Sequence, residues 1–234
     1  MSMRTDMPKE TKPLPAAGTA SQSMAVAQTK AQVRRQMAQR LHRIPPATWQ
    51  AAGQRIAVAL ETMAVWRNAR RIALYLEIAA EVPASFLVTG CRKRECKLYL
   101  PVYDAECKQY VPAEWRAGDR LHPGVYGIRE PVAPRWAPET HLDLILVPGR
   151  AFTGTGMRLG RGGGYFDRFL TAPWAAAAVF IGLALECQLV DDLPADTHDI
   201  GMDWVVTEKE IHVGSRKCGG SSDADQGPAE GGRE

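Results

Sequence analysis

Residues 142–170, LDLILVPGRAFTGTGMRLGRGGGYFDRFL, decide the fold. Leu142 to Gly149 reads as a strand buried on both faces, the clearest in the chain. A glycine-rich loop leaves its end, and a short helix is expected from about Tyr165. Strand, loop and helix in that order form the repeating unit of an open sheet layered with helices.

The same alternation continues outward. VFIGLALE (179–186) and WVVTE (204–208) read as further strands, the second closing the ordered part. Toward the N-terminus, RIALYLEI (71–78) reads as a buried strand. KLYLPVY and QYVPAEW follow as short ones, the latter placed at an edge by Pro112. Val33, Met37, Leu41 and Ile44 recur at helical spacing until Pro45 and Pro46 end the segment. Trp49, Ala52, Ile56, Leu60 and Met63 form the stripe of a second helix, and Pro83 suits the first turn of a third, running to about Arg94. The expected fold class is α/β: a three-layer sandwich with a mainly parallel central sheet, Rossmann-like, in a single domain over 25–213. Residues 1–24 and 214–234 have too few apolar side chains to offset chain ordering and are expected to be disordered.

Composition narrows the function classes. Lys plus Arg is 29 against 26 Asp plus Glu, so the surplus of +3 excludes a general polyanion binder. No apolar run reaches the roughly 20 residues of a membrane span. The five cysteines form no C-x-x-C pair, which argues against a disulfide framework or a zinc site and for a reducing cytoplasm. The first residues lack a secretory core.

The loop from Gly154 to Asp167 carries the richest chemistry. Glycines let backbone N–H groups approach an anion, and Arg158 and Arg161 offer fork-shaped donors to phosphate or carboxylate. Asp167 supplies the hard oxygen that a phosphate-bridging cation needs. The plain alternative is a solvated surface loop. Neither G-x-G-x-x-G nor Gly-Lys-Ser/Thr is present, which disfavours a dinucleotide dehydrogenase or P-loop enzyme.

This stretch resembles the signature of the 5-formyltetrahydrofolate cyclo-ligases, or methenyltetrahydrofolate synthetases. The resemblance runs over roughly Thr29 to Glu208 and takes in KAQVR, LYLEIAAEV, GVYGIREP and IGLALECQLVDDLPADTHDIGMDWVVTE. It implies an ATP-dependent, carbon–nitrogen bond-forming ligase. Such an enzyme converts 5-formyltetrahydrofolate and ATP to 5,10-methenyltetrahydrofolate, ADP and phosphate through a phosphorylated formyl group.

Carried over by position, the resemblance gives Lys30 and Arg34 to ATP phosphates. Arg158, Leu159, Gly160, Arg161, Gly162, Gly163, Gly164, Tyr165 and Phe166 match the nucleotide loop, with Arg158 and Arg161 catalytic. Residues from Arg161 to Tyr165 also border the folate. Leu76 and Glu81 match substrate contacts, and Asp167 and Asp199 match carboxylates associated with Mg2+. Phe166 stands where a second tyrosine is common, Gly163 where some members have lysine, and Thr153 where aspartate is frequent. The expected partners are the small-molecule substrates, with no nucleic acid or membrane, and the expected state is a monomer.

Other residues have plain readings beside the functional ones. Lys30 and Arg34 taken alone read as a solvated helix face, and Glu81 as an acid favouring a helix start. His198 reads as a turn residue, Cys91 and Cys96 as idle thiols, and Tyr126 as either turn or folate pocket. A nucleotide- or folate-binding module without turnover is the alternative function. RNA binding through Lys30, Arg34, Arg35, Arg40 and Arg43 is weaker, because stacking aromatics are missing from that helix.

Overall fold

A computed structural model describes residues 17–196 and 198–216, with the side chains of 17–25 and 126 outside that description. The first helix, α1, spans Ala17–His42, so its opening turns fall within the stretch expected to be unstructured. Helices α2 (Pro46–Thr62), α3 (Ala64–Asn68) and α4 (Ser85–Lys93) follow, and α5 is Tyr165–Thr171. Pro46 opens α2 at its first position, where a missing N–H costs nothing. Pro83 lies two residues before α4 rather than inside its first turn.

The strands are β1 (Arg71–Ala73), β2 (Lys97–Asp104), β3 (Gln109–Trp115), β4 (Leu121–Pro123), β5 (Arg129–Pro131), β6 (Arg135–Trp136), β7 (Leu144–Pro148), β8 (Ala151–Phe152), β9 (Arg158–Leu159), β10 (Val179–Leu183), β11 (Trp204–Val206) and β12 (Ile211–Val213). Eight form one sheet in the order β12-β11-β10-β7-β1-β2-β3-β6, while β4-β5 and β8-β9 are separate hairpins. The middle five, β11 to β2, pair in parallel, and the outer three add antiparallel pairs. Chain direction across the sheet reverses at β1, between β2 and β7. Such a reversal opens a crevice beyond the carboxyl ends of the strands.

Side chains alternate between two cores. Leu144 and Leu146 pack on the side of α1, α2 and α4, with Ile72, Leu98 and Ile181. Ile145 and Val147 face the other side, with Ala73, Tyr99, Phe169 and Phe180. Both faces of the parallel strands are therefore covered, which is why these strands read as continuous apolar runs. Asp143 ties β1 to β7. Its carboxylate accepts from the N–H groups of Arg70 (2.9 Å) and Arg71 (2.8 Å) and pairs with the Arg71 guanidinium at 2.7 Å. Burial opposes that charge, but the Arg71 bond and the two backbone bonds outweigh it and hold the Asp143 carboxyl below its ordinary range.

Four expectations change. The strand at 71–78 stops at Ala73; Leu74 still donates to Tyr99, after which the chain leaves the sheet. Tyr75, Leu76 and Ile78 are apolar because they line a cavity, not because they continue the strand. β3 is not an edge, since the two-residue β6 pairs with Ala113 and Glu114. β11 is not last: Thr207 Oγ1 accepts from Glu210 N–H (3.0 Å), turning the chain into β12. Finally, residues 214–216, expected to begin a tail, pack on the sheet. Gly214 donates to Asp203 O (2.7 Å), and the Arg216 guanidinium lies 3.6 Å over the Phe180 ring while pairing with Asp203 at 2.5 Å. No helix among the described residues is long and apolar enough to cross a membrane.

Candidate functional site

A cavity of about 670 Å³ opens where the sheet order reverses. It is lined by Pro148 at the end of β7, by Gly149 after it, and by Tyr75, Leu76, Ile78 and Glu81 after β1. Arg34 of α1, Asp199, the chain from Arg158 to Asp167, and Leu100, Pro101, Tyr110, Ile128 and Arg129 complete the lining. Every site residue expected from the sequence except Lys30 lines this one cavity. Lys30 adjoins it through an ion pair with Asp199 at 2.5 Å.

Helix α1 shows why. Positions 30, 34, 37 and 41 share one face; Met37 and Leu41 bury into the core, and the same face further back carries Arg34 into the cavity lining and the buried Lys30 beside it. Arg34 Nε donates to Gly160 O at 2.9 Å, fastening helix to loop. Asp199 also accepts from Asp196 N–H at 2.6 Å.

The glycine-rich stretch divides in two. Its first half is the tip of the β8-β9 hairpin, where Thr153 Oγ1 accepts from Met157 N–H at 3.0 Å and bonds the Thr155 hydroxyl at 2.8 Å. Thr153 is buried there and does not line the cavity, so its departure from aspartate is a matter of hairpin closure. The second half, from Gly160 to Gly164, is the part that meets the cavity. Gly162 (φ 102°) and Gly164 (φ 64°) adopt left-handed backbone that other residues rarely take. A Cβ on Gly163 would meet the Tyr165 ring at 2.7 Å, so the missing lysine makes room for that ring. Among the described residues, no acceptor receives the N–H groups of Gly162, Gly163 or Gly164. Helix α5 beyond them has only seven residues, so an anion placed here would meet these amides rather than a long helix dipole.

Arg158 does not face outward. Its side chain is 3% exposed, donates to Pro148 O at 3.1 Å, and pairs with Asp167. Its Nε has no partner among the described residues, and its guanidinium lies 5.8 Å from the centre of the Phe166 ring. This arginine underpins the loop and holds Asp167 in place.

Arg161 spans the cavity. Nε donates to Glu81 Oε1 at 3.1 Å, and the terminal nitrogen donates to Ala79 O at 2.9 Å. Glu81 also accepts from Ile78 N–H at 3.2 Å. Burial raises the Glu81 carboxyl above its ordinary value, and Arg161 offsets only part of that. Tyr75 donates to Val82 O at 2.7 Å and pins the same loop; burial keeps its hydroxyl protonated. Nearby, the Tyr110 and Tyr165 rings meet edge to face at 5.9 Å.

Tyr75, Leu100, Pro101, Tyr110, Ile128, Arg129, Pro148 and Gly149 were not singled out in the sequence. Most sit in apolar stretches that read as core; Tyr75 lies within LYLEIAAEV, Ile128 and Arg129 within GVYGIREP, and Pro148 and Gly149 at the end of the quoted strand, none of them with a site role of its own. Tyr126 lies outside the described side chains. His198 is 92% exposed, as its plain reading requires, and burial pushes the Cys91 thiol up to about 12, far from reactive. No group of three or more His, Cys, Asp or Glu side chains among the described residues is arranged to hold a metal by itself.

The model of the 5-formyltetrahydrofolate cyclo-ligase family matches residues 26–208, which takes in the whole cavity. The chain belongs to that family. It is 29% identical over 197 residues to the 5-formyltetrahydrofolate cyclo-ligase of Mycolicibacterium smegmatis, covering 80% of this chain and 98% of the relative. The enzyme of the same name from Escherichia coli K12 is 29% identical over 181 residues, covering 74% of this chain and 97% of the relative. Among solved structures, the 5,10-methenyltetrahydrofolate synthetase of Aquifex aeolicus superposes with a TM-score of 0.69 at 26% identity, covering 86% of this chain and 99% of that one.

Proposed function

We propose that this cyclo-ligase family member closes the ring of 5-formyltetrahydrofolate to 5,10-methenyltetrahydrofolate, with ATP converted to ADP and phosphate. The observation that carries the reading is the run of three unengaged amides at Gly162–Gly164, set beside Arg34 and Arg161 where the sheet order reverses. Unengaged donors there suit the oxygens of a triphosphate. The apolar lining residues Leu76, Ile78, Leu100 and Tyr110 suit a flat heterocycle, with Glu81 placed to accept from its amino and ring N–H groups.

A formamide oxygen is a poor leaving group. In this reading it attacks the γ-phosphorus, the bond to ADP breaks, and an imidate phosphate forms. N10 then attacks the formyl carbon, the C–O bond breaks, phosphate leaves with the former formyl oxygen, and the N10 proton passes to solvent. Positioning and charge neutralisation carry most of the catalysis. Lys30 and Arg34 hold the phosphates from α1. Arg161 ties the glycine loop to the folate side and neutralises charge, and Arg158 keeps the loop in register through Asp167.

Asp167 and Asp199 both line the cavity, paired with Arg158 and Lys30, and each would offer a carboxylate oxygen to a magnesium ion arriving with the nucleotide. One or two protein carboxylates, with phosphates and water completing the shell, is the usual pattern for that ion. When bound, Mg2+ neutralises charge on the phosphates. The free thiols of Cys91, Cys96, Cys107 and Cys187 support a reducing cytoplasm.

The test is incubation with 5-formyltetrahydrofolate and MgATP, with each left out in turn, following methenyl-product absorbance and ADP. Ring closure only in the full mixture is expected. Tight binding of both ligands without product would leave a binding module instead.

A further inference from the structure

Four arginines line the cavity: Arg34, Arg129, Arg158 and Arg161. Three are committed to the protein, through Gly160 O, Asp167 with Pro148 O, and Glu81 with Ala79 O. The Arg129 guanidinium is exposed, and among the described residues it has no ion pair or hydrogen bond. Its backbone, in contrast, is fixed. Arg129 pairs with Pro123 across β4-β5, and the carboxylate of neighbouring Glu130 is buried and accepts from Tyr103 N–H at 3.4 Å. A side chain with full freedom thus stands on a rigid strand at the cavity rim.

Its position relative to the two halves of the cavity points to its ligand. Lys30 and Arg34 come from α1, where Lys30 pairs with Asp199, between β10 and β11. Arg129 comes from β5, which packs on β2 at the opposite end of the sheet through Glu130 and Tyr103, and it lines the cavity with Ile128, Leu100 and Tyr110. Folate is a flat, mostly apolar body whose far end carries the two carboxylates of its glutamate. With the formyl group turned toward the phosphates, that end leaves the cavity along the apolar side.

We infer that Arg129 is a specificity-determining residue whose guanidinium receives the glutamate carboxylates of the folate substrate; this rests on the functional reading above. A guanidinium fork matches a carboxylate in shape as well as charge. At a rim open to water the contribution is modest, on the order of two- to fivefold in affinity.

The experiment measures calorimetric binding of 5-formyltetrahydrofolate and of its tail diamide, which lacks both carboxylates, to wild type, Arg129→Ala and Arg129→Lys, with KM for ATP measured in parallel. Wild type is expected to bind the acid about two- to fivefold tighter than the diamide. Arg129→Ala should lose that preference, Arg129→Lys should keep part of it, and KM for ATP should stay put. Equal discrimination by wild type and Arg129→Ala overturns the inference, as does a loss confined to ATP. A wild type that discriminates but makes no methenyl product keeps the Arg129 subsite and removes the enzymatic reading. Turnover without Arg129-dependent discrimination does the reverse.

Discussion

Replacing Arg158 by alanine tests whether this arginine is a support of the fold as well as a member of the site. The substitution leaves the Asp167 carboxylate without its cation and the Pro148 carbonyl without its donor. Asp167 is 33% exposed, so water recovers part of the loss and the charged bond is taken at its low end, about 1.5 kcal/mol. The lost bond to Pro148 adds about 1 kcal/mol. With a urea m-value near 2 kcal/mol/M, the total of about 2.5 kcal/mol lowers the unfolding midpoint by about 1.2 M. Urea titration followed by tryptophan fluorescence reads this directly, with turnover measured on protein kept folded. Asp167→Asn should lower the midpoint less, because the amide oxygen still accepts from Arg158. A midpoint within about 0.3 M of wild type for Arg158→Ala, beside lost activity, would refute the supporting role and restore an arginine that serves only ligand.

Further predictions concern charge and backbone. Asp143→Asn should cost about 1.5 kcal/mol at pH 7, since an amide cannot match three bonds made to a carboxylate. The Asp143 carboxyl is held low in the folded state, so its contribution is present above the unfolded value of about 3.9 and is lost as pH falls through the folded one. Urea titrations at stepped pH should therefore show the mutant and wild-type curves converging below about pH 4. Glu81→Gln should lower kcat/KM for folate at neutral pH and remove an acid limb from its pH profile, because the raised Glu81 carboxyl takes up a proton at milder acidity than an ordinary glutamate. An unchanged limb would assign it to another group. Gly162→Ala forces a side chain into left-handed backbone, with its Cβ 3.3 Å from the Arg34 guanidinium carbon. It should strain the loop by about 1–3 kcal/mol and raise KM for ATP, and kinetics at varied ATP would show it.

The parts of the fold that were legible share one property: their side chains are buried by the sheet itself. Leu144 to Val147 alternate between two cores, so the strand reads as an unbroken apolar run, and α2 declares itself through Trp49, Ala52, Ile56 and Leu60. What stayed hidden depends on packing between distant segments. β12 carries Ile211 and Val213 largely in solvent, which leaves no apolar pattern to read. Tyr75, Leu76 and Ile78 look like strand because a cavity wall and a strand ask for the same side chains.

The site divides similarly. The glycine loop and its arginines were visible as chemistry, yet nothing in the spacing says that Arg158 turns inward to Asp167 or that Arg161 reaches Glu81 across 80 positions. Charged residues read as solvent-facing until a partner is placed, and that partner comes from tertiary structure. Arg129 is the converse case: an unremarked charge in a short hairpin that the fold sets at the mouth of the cavity.

The central claim is that the amides of Gly162–Gly164 and the surrounding cations present the γ-phosphoryl group to the formyl oxygen. The most direct measurement uses substrate labelled with 18O in the formyl group and follows the label by mass spectrometry after one turnover. The account predicts one 18O in the released phosphate. Label recovered in water, with unlabelled phosphate, would contradict it.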